Sequence, residues 1–329
     1  MKFTKNKAFI TGGAGFIGSN IVDRLLSLGH QVVVYDNFST GQINFLNNAK
    51  KNENLKIIKG DLLDQNLLDK STADCNIVYH MAANADIRGG LEKPYYDIEQ
   101  NTIATFNLLE SMRKNDLNRI IFASSAAALG EPSEFPTPES CPAPVQTSLY
   151  GASKMACEGL ISSYCEGYGF EGYVYRFVSL LGSRYPHGHV FDFVKQLKEN
   201  PSKLRVLGDG TQRKSYMHIS DCIDAIFLTA EEKRTALNTK HNFDVYHLGF
   251  PSYIRLMESI SFISDQMNLS PQIEFSGGDR GWIGDNPFVY LAIDKAQRHG
   301  WKPKYNIEFS IRETVDWLIK NDWIFESRS

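Results

Sequence analysis

The first half of the chain alternates short, continuously apolar runs with longer amphipathic segments. Apolar runs of this kind are typical of parallel strands that are buried on both faces, and the amphipathic segments between them supply crossover helices. This alternation predicts an α/β fold with a Rossmann-type doubly wound parallel sheet. We expect strands at 7–11, 30–36, 55–61, 75–82, 119–125 and 172–182, and helices at 17–28, 97–115 and from 149 onward.

The regular alternation weakens after residue 182, where the recognisable elements are 218–232, 243–249 and a final helix at 307–321. We therefore predict a Rossmann domain over 1–176, to which segments near 216–248 return, and a smaller interleaved lobe over 177–329. The proline-rich segment 131–146 interrupts the first domain. Irregular loops of this length inside compact domains are usually functional, so we expect it to cover a ligand.

Composition narrows the possible partners. A net charge of -3 gives no electrostatic basis for binding nucleic acid or an anionic membrane. No apolar run reaches the roughly 18 residues of a membrane span, and the N-terminal apolar stretch is too short for a signal peptide. The five cysteines are odd in number and form no CxxC pair, which argues against disulfides and zinc. We expect a cytoplasmic protein without a metal.

A glycine triplet follows the first predicted strand and opens the first predicted helix. Gly12, Gly15 and Gly18 allow a tight turn, close approach of a pyrophosphate and close packing of the helix on the sheet. The helix N-terminus then offers N–H groups and a positive dipole to the phosphates. Asp36 ends the second strand, where its carboxylate can accept the ribose hydroxyls of NAD and would repel the extra phosphate of NADP. The cofactor predicted is NAD.

A second constellation carries the chemistry. Tyr150 and Lys154 are four residues apart, so on a helix they lie on one face, one turn apart. A neighbouring ammonium favours the phenolate of a tyrosine and brings a phenol with a pKa near 10 toward use as a base. Ser125, at the end of the fifth strand, is placed to hold a substrate hydroxyl. His80 is interpreted as a core histidine.

With these motifs assembled, the chain resembles the extended short-chain dehydrogenases/reductases, specifically the NAD-dependent nucleotide-sugar epimerase/dehydratase family and its UDP-glucose 4-epimerase-like members. The resemblance rests on GGAGFIG, YDN, GD, HMAA, SSAAALG, YGASK, VLGDGTQRKSYMHISDCIDAI and GWKPKYNIEFSIRETVDWL. It implies that Tyr150 removes the proton of a sugar C4 hydroxyl, that Lys154 binds the nicotinamide ribose, and that Ser125 orients the hydroxyl. The residues expected at the NAD site are Gly12, Gly15, Phe16, Ile17, Asp36, Asn37, Ser39, Thr40, Gly41, Asp61, Leu62, Met81, Ala82, Ala83, Ser124, Tyr150 and Lys154.

Departures from the family pattern bear on the reaction. The resemblance places an acid pair directly after Ser125 in the dehydratases, and an acid in the decarboxylases, whereas this chain has Ala126 and Ala127. This favours a UDP-hexose 4-epimerase that works through a transient 4-ketosugar. A C4 dehydrogenase or a 4-ketosugar reductase with net redox turnover stays open, and so does a non-catalytic dinucleotide sensor. Leu129 replaces a common tyrosine, which alters the expected sugar contacts.

The substrate contacts follow from the resemblance alone. The family's diphosphate-binding arginine is matched by Lys214, with Arg213 adjacent, and Arg280 is displaced from the usual position. The expected substrate is a nucleotide-diphosphate sugar, with UDP favoured. Its predicted contacts are Ser125, Ser179, His187, Val190, Arg213, Lys214, Arg280 and Asp285. Relatives commonly dimerise through two helices, and the corresponding helices here carry the apolar residues Phe106, Leu109, Leu160 and Ile161. The same residues would equally serve an intrachain core, and on the resemblance we expect a homodimer.

Overall fold

The computed structural model describes residues 6–84, 86–142, 145–232 and 242–327. The predicted segments near 131–146 and 216–248 each lie partly outside these ranges. The strands are β1 (Lys7–Thr11), β2 (Gln31–Asp36), β3 (Leu55–Lys59), β4 (Ile77–His80), β5 (Arg119–Ala123), β6 (Glu171–Phe177), β7 (Ser179–Leu181), β8 (Lys203–Val206), β9 (Arg213–Lys214), β10 (Tyr216–His218), β11 (Phe243–Leu248), β12 (Ile254–Arg255), β13 (Gln272–Phe275) and β14 (Phe288–Val289).

The α-helices are α1 (Phe16–Ser27), α2 (Gln65–Thr72), α3 (Pro94–Asp97), α4 (Ala104–Lys114), α5 (Leu149–Tyr168), α6 (His189–Glu199), α7 (Ile219–Ile226), α8 (Leu256–Gln266), α9 (Asp294–Arg298), α10 (Ile307–Lys320) and α11 (Trp323–Glu326). Two π-helical segments, Ile98–Ile103 and Phe227–Glu232, continue from α3 and α7. Within the described part of the chain, no helix is long and apolar enough to cross a membrane. The five cysteines, all in described ranges, are free thiols.

A seven-stranded sheet has the order β11-β6-β5-β4-β1-β2-β3. Each neighbouring pair from β6 to β3 is parallel, and the order places β1 and β4 at the point where the winding reverses. Alternate strand residues such as Phe9, Val33 and Phe122 share one apolar cluster with α2, α4 and α5. The predicted Rossmann-type doubly wound sheet is confirmed.

The chain divides into two compact units. Unit 1 comprises Met1–Leu129, Ser148–Arg176 and Thr229–Tyr246, and unit 2 comprises Gly130–Thr147, Phe177–Leu228 and His247–Ser329. Unit 2 contains the three-stranded sheet β12-β9-β14 and the pairs β10-β7 and β13-β8. Its helices α6, α8 and α10 pack against one another.

The prediction of one continuous strand at 172–182 is wrong. The structure has two strands, because Phe177 ends the part that pairs in the large sheet and Ser179–Leu181 pairs with Tyr216–His218 instead. Between them, Val178 donates its backbone N–H to the carbonyl oxygen of Leu248 at 3.2 Å. An uninterrupted apolar run does not reveal such a change of partner, since both strands are buried.

The proline-rich segment belongs to unit 2 and is held there by backbone pairing. Thr137 forms a parallel bridge with Leu291, donating to the carbonyl oxygen of Tyr290 at 2.8 Å and accepting from Ala292 at 2.9 Å. Its side chain is completely buried. The segment is therefore an integral part of unit 2, and its ligand-covering role stays a prediction.

Candidate active site

The glycine loop between β1 and α1 is closely packed. Gly12 has φ +64°, and a Cβ there would lie 2.7 Å from the backbone nitrogen of Ala82. Gly15 precedes α1, whose N-terminus receives no hydrogen bond from a described side chain and has no acid in its first turn. The loop thus brings the exit of β4 against an uncapped helix N-terminus, which is the environment that a pyrophosphate requires.

Asp36 connects the glycine loop to the loop that follows β2. It is 6% exposed; Oδ2 accepts from the backbone N–H of Ala14 at 2.9 Å, and Oδ1 accepts from that of Phe38 at 2.8 Å. Burial raises the pKa of the carboxyl and these two hydrogen bonds oppose the rise. A Cβ at Gly41 would lie 2.7 Å from Oδ1, so the loop passes closely over the carboxylate. Each oxygen keeps acceptor capacity for a ribose hydroxyl.

Asp61, after β3, is drawn toward the same loop. Its Oδ2 accepts from the Asn37 amide at 2.9 Å and its Oδ1 accepts from the backbone N–H of Leu63 at 2.9 Å. Asn37 in turn accepts from the backbone N–H of Ser39. The ends of β2 and β3 are therefore joined by hydrogen bonds, and the predicted adenosine-binding residues of these two loops lie together.

His80 lies in the core, as predicted. It is 1% exposed, and its two ring nitrogens lie 2.7 Å from Thr11 Oγ1 and 2.9 Å from Thr105 Oγ1. Burial lowers the pKa of His80 to about 3, with a smaller contribution from Lys154, so the ring is neutral at physiological pH. Thr11 Oγ1 also accepts from the backbone N–H of Ala82 at 3.2 Å. The histidine thereby fixes where β1 and β4 end.

Tyr150 and Lys154 lie in the first turns of α5, as the spacing predicts. Ser148 caps this helix by accepting from the backbone N–H of Gly151 at 3.0 Å. The Lys154 ammonium is 5.8 Å from the centroid of the Tyr150 ring and donates to the carbonyl oxygen of Ala123 at 2.9 Å. The structure therefore brings Tyr150, Lys154 and the end of β5 together.

Burial shifts the pKa values of Tyr150 and Lys154 in opposite directions. Burial lowers the pKa of Lys154 to about 8, while the neighbouring acidic groups of Cys157, Glu158 and Asp97 oppose this shift. Burial raises the pKa of Tyr150, and a hydrogen bond with Ser125 lowers it. Ser125 also accepts from the backbone N–H of Ala127 at 3.1 Å. The residues of the chain itself thus favour the neutral phenol of Tyr150.

Ser124 has a different environment from its neighbour. Its hydroxyl donates to Glu158, which is one turn beyond Lys154 on α5 and is 4% exposed. Glu158 also accepts from Arg176 at 2.6, 2.9 and 3.2 Å. The side chain of Ser124 therefore supports the packing of α5 on the sheet, and any cofactor contact from it uses its remaining acceptor capacity.

In unit 2, three of the predicted substrate contacts form one cluster. The Lys214 ammonium lies 2.6 Å from Asp285 Oδ1. Arg280 donates to the backbone oxygen of Asp285 at 3.3 Å and pairs with Glu131 at 2.8 Å. Two cations and two carboxylates thus meet at one place, where an anionic group of a ligand can exchange with a carboxylate.

The other predicted contacts in unit 2 do not join this cluster. Arg213 neighbours Lys214 on a strand, so the two side chains point to opposite faces, and the Arg213 guanidinium lies 4.2 Å from the centroid of Phe288. Val190 is completely buried in α6, which leaves its backbone as the part available to a ligand. Ser179 and His187 are exposed. Of these two cations, Lys214 therefore lies in the cluster and Arg213 lies against Phe288.

The sequence did not predict a polar network that lies beside α5. Asp97 and Asn101 are 0% and 2% exposed and lie in the helical region that we expected at 97–115. Asn101 donates to Ser153 Oγ at 2.8 Å and accepts from the backbone N–H of Asn84 at 2.8 Å. The available signal was two polar residues four apart on a predicted helix, but the π-helical turn between them leaves no mark in the sequence.

Comparison with known proteins agrees with these motifs. The family model described as "NAD dependent epimerase/dehydratase family" matches residues 8–247. A putative UDP-glucose 4-epimerase of Methanocaldococcus jannaschii is 32% identical over 319 residues, which cover 95% of this chain and 98% of that protein.

Two solved structures have the same fold over nearly the full length. A UDP-N-acetylglucosamine 4-epimerase of Methanobrevibacter ruminantium, in complex with UDP-N-acetylmuramic acid, superposes with a TM-score of 0.85 at 29% identity, covering 97% of this chain and 100% of that one. A UDP-glucose 4-epimerase of Thermus thermophilus in complex with NAD gives a TM-score of 0.81 at 28% identity, covering 95% and 99%. The chain therefore belongs to the NAD-dependent epimerase/dehydratase family, whose cofactor is NAD.

Proposed function

We propose that this enzyme is a nucleotide-sugar 4-epimerase acting on a UDP-hexose through a transient 4-ketosugar. The observation that carries the proposal is the set of Tyr150, Lys154 and Ser125 at the end of β5, with Ala126 and Ala127 following Ser125. Alanine has no group for the acid–base elimination of a dehydratase. Related proteins described as UDP-sugar 4-epimerases support the substrate class.

Each residue has a defined part in the proposed reaction. Ser125 holds the C4 hydroxyl by a hydrogen bond, Tyr150 accepts its proton, and the Lys154 ammonium stabilises the phenolate. NAD held at the glycine loop and Asp36 would supply the hydride acceptor for C4 and, afterwards, the hydride donor. After the ketosugar has turned, Tyr150 gives the proton back to the new C4 oxygen. Proton and hydride are thus both returned, and no net redox change occurs.

The cluster of Lys214, Arg280 and Asp285 is proposed to bind the substrate diphosphate and ribose. A monovalent ammonium at position 214 binds phosphate as a point charge, whereas Arg280 can present a planar fork to two oxygens. The uridine, the identity of the sugar and the contacts of His187 and Ser179 remain part of the proposal. They are tested by substrate specificity.

We also propose that the enzyme is a homodimer. Phe106 on α4 is 45% exposed and Tyr168 on α5 is 57% exposed, whereas Leu109 and Ile161 are completely buried within unit 1. Of the apolar residues expected at a dimer interface, Leu109 and Ile161 therefore serve the intrachain core. Phe106 points outward and is the residue to change: Phe106→Glu should yield a monomer by light scattering.

The deciding experiment uses a panel of UDP-hexose pairs and the purified enzyme without added NAD. Anion-exchange chromatography should show one pair approaching equilibrium from either side, with no build-up of NADH absorbance. Tyr150→Phe should abolish turnover and still bind NAD. Stoichiometric NADH formation without interconversion would identify a net C4 dehydrogenase and overturn the epimerase proposal.

A further inference from the structure

Asp97, the last residue of α3, is a completely buried acid with an incompletely satisfied carboxyl group. Its Oδ1 accepts from the amides of Asn84 at 2.9 Å and Asn101 at 3.4 Å. Its Oδ2 accepts no hydrogen bond from the residues that the structure describes. Burying a polar oxygen without a hydrogen bond destabilises the fold, so this one calls for an explanation.

The loop after β4 packs closely against Oδ2 of Asp97. A Cβ at Gly90 would lie 2.4 Å from Oδ2, so the backbone of the loop after β4 presses directly on the carboxyl group. Asn84, which donates to Oδ1, belongs to the same loop and is 6% exposed. Asp97 is therefore fixed from the loop side, and its charge cannot turn toward solvent.

On its other side, Asp97 is linked to the helix that carries Tyr150 and Lys154. The Asn101 amide, which reaches Asp97, also donates to Ser153 Oγ at 2.8 Å, and Ser153 Oγ donates to the carbonyl oxygen of Tyr150 at 2.8 Å. Asn101 lies in the π-helical segment that directly follows Asp97. Such π-turns occur frequently at functional sites.

The charge of Asp97 acts on both members of the pair. It raises the pKa of Tyr150 and of Lys154, while burial raises the pKa of Asp97 itself and Asp86 adds to the rise. The other groups that act on the pair are Ser125, Cys157 and Glu158. Glu158 differs because it is paired with Arg176, whereas the positive charge that acts on Asp97 and lowers its pKa is that of Lys154 itself.

We propose that Asp97 is a positioning residue, which fixes the first turn of α5 through Asn101 and Ser153 and places a buried negative charge behind Tyr150. This inference rests on the proposed function, because it assigns Asp97 a role in the same proton transfer. Asp97 does not touch the substrate. It acts through Tyr150 and Lys154.

The test changes the charge and keeps the shape. In Asp97→Asn, the side-chain oxygen can still accept from Asn84 and Asn101. Loss of the negative charge removes its effect on both groups, so the pKa of Tyr150 should fall by about 1 unit and the pKa of Lys154 should fall with it. The measurement is the near-ultraviolet phenolate difference spectrum of the NAD-bound enzyme, with the Tyr150→Phe spectrum subtracted. It needs no sugar nucleotide, so an enzyme that fails to epimerise would overturn the proposed function and leave this test intact.

Glu99→Gln is the matched control. Glu99 lies two residues further on and is partly exposed, and its side chain accepts from Gln100 at 3.3 Å. The same loss of charge there should leave the Tyr150 midpoint unchanged. If Asp97→Asn titrates like Glu99→Gln, the charge role of Asp97 is refuted.

Ser153→Ala tests the positioning role of Asp97 separately from its charge. It is also the variant to measure if Asp97→Asn does not fold. It breaks the hydrogen bond from Asn101 to α5 and keeps the Asp97 carboxylate. We expect kcat to fall about tenfold, which corresponds to about 1.4 kcal/mol of transition-state stabilisation. The titration midpoint of Tyr150 should stay unchanged. Wild-type kcat in Ser153→Ala would refute the positioning role.

Discussion

Gly18 provides a direct test of the glycine loop, because the chain offers a matched glycine in another helix of unit 1. Gly18 lies in α1 and Gly159 in α5, and alanine is favoured over glycine inside helices by about 1 kcal/mol. A Cβ at Gly159 would meet no described atom within 4 Å. We therefore expect Gly159→Ala to raise the free energy of unfolding by roughly 0.5–1 kcal/mol.

At Gly18 the same methyl group would collide with backbone. It would lie 2.2 Å from the carbonyl oxygen of Gly12, where real Cβ contacts are essentially never under 3.0 Å, so this contact must lengthen by at least 0.8 Å. Overpacking of this kind costs about 1–3 kcal/mol, which outweighs the gain in helix propensity. The loop and the α1 N-terminus must also separate. A misplacement near 1 Å can lower the reaction rate of a positioned site about 100-fold.

The assay measures both consequences in the same pair of variants. Urea unfolding gives the free energy of unfolding, and fluorescence titration of protein stripped of its cofactor gives the affinity for NAD. Gly159→Ala should bind NAD like the wild type, whereas Gly18→Ala should bind about 10- to 100-fold more weakly, the effect of losing one hydrogen bond to a charged phosphate. If Gly18→Ala binds NAD normally, or gains as much stability as Gly159→Ala, the crowding argument is wrong.

Three further predictions concern titratable side chains. Glu158→Gln removes the charged partner of Arg176 from a pair that is 4% and 7% exposed, and it should lower the free energy of unfolding in urea by about 3–5 kcal/mol. Replacing Glu158 by Leu and Arg176 by Met together should restore most of this stability. An equal loss in the double variant would contradict the explanation. For His80, the pKa is about 3 in the fold against an ordinary 6.5, so the unfolded state alone binds a proton as the pH falls from 6.5 toward 3. Stability is therefore lost over that window, and His80→Gln should show a shallower decline when unfolding is measured against pH. Lys214→Met should weaken UDP binding, measured by calorimetry, by about tenfold, as expected for the loss of a charged contact. Arg213→Met should change the affinity for UDP little. Equal effects of the two substitutions would show that both cations face the nucleotide.

The parts of the fold that could be predicted are those whose residues repeat a local rule. Continuous apolar runs gave the positions of β1 to β6, and the four-residue spacing placed Tyr150 and Lys154 on one face of α5. Gly12 and Gly18 were informative because backbone conformation and close packing exclude other residues there.

The parts that could not be predicted depend on tertiary partners. The break at Val178 arises because the two halves of one apolar run pair with different strands. Arg213 and Lys214 could be assigned to opposite faces only once Arg213 was seen against Phe288. The link from Asp97 to Ser153 passes through a π-helical turn and joins residues 56 positions apart, so no local pattern reports it.

The division of the chain into units has a practical consequence for engineering. The polypeptide passes from one unit to the other five times, after residues 129, 147, 176, 228 and 246. No single cut can release either unit as one continuous piece, and a fragment ending at residue 176 would lack the strand at Phe243–Leu248 that borders β6. Exchange of substrate preference between relatives therefore has to proceed by grafting several short segments at once, because a domain swap with one junction would divide both units.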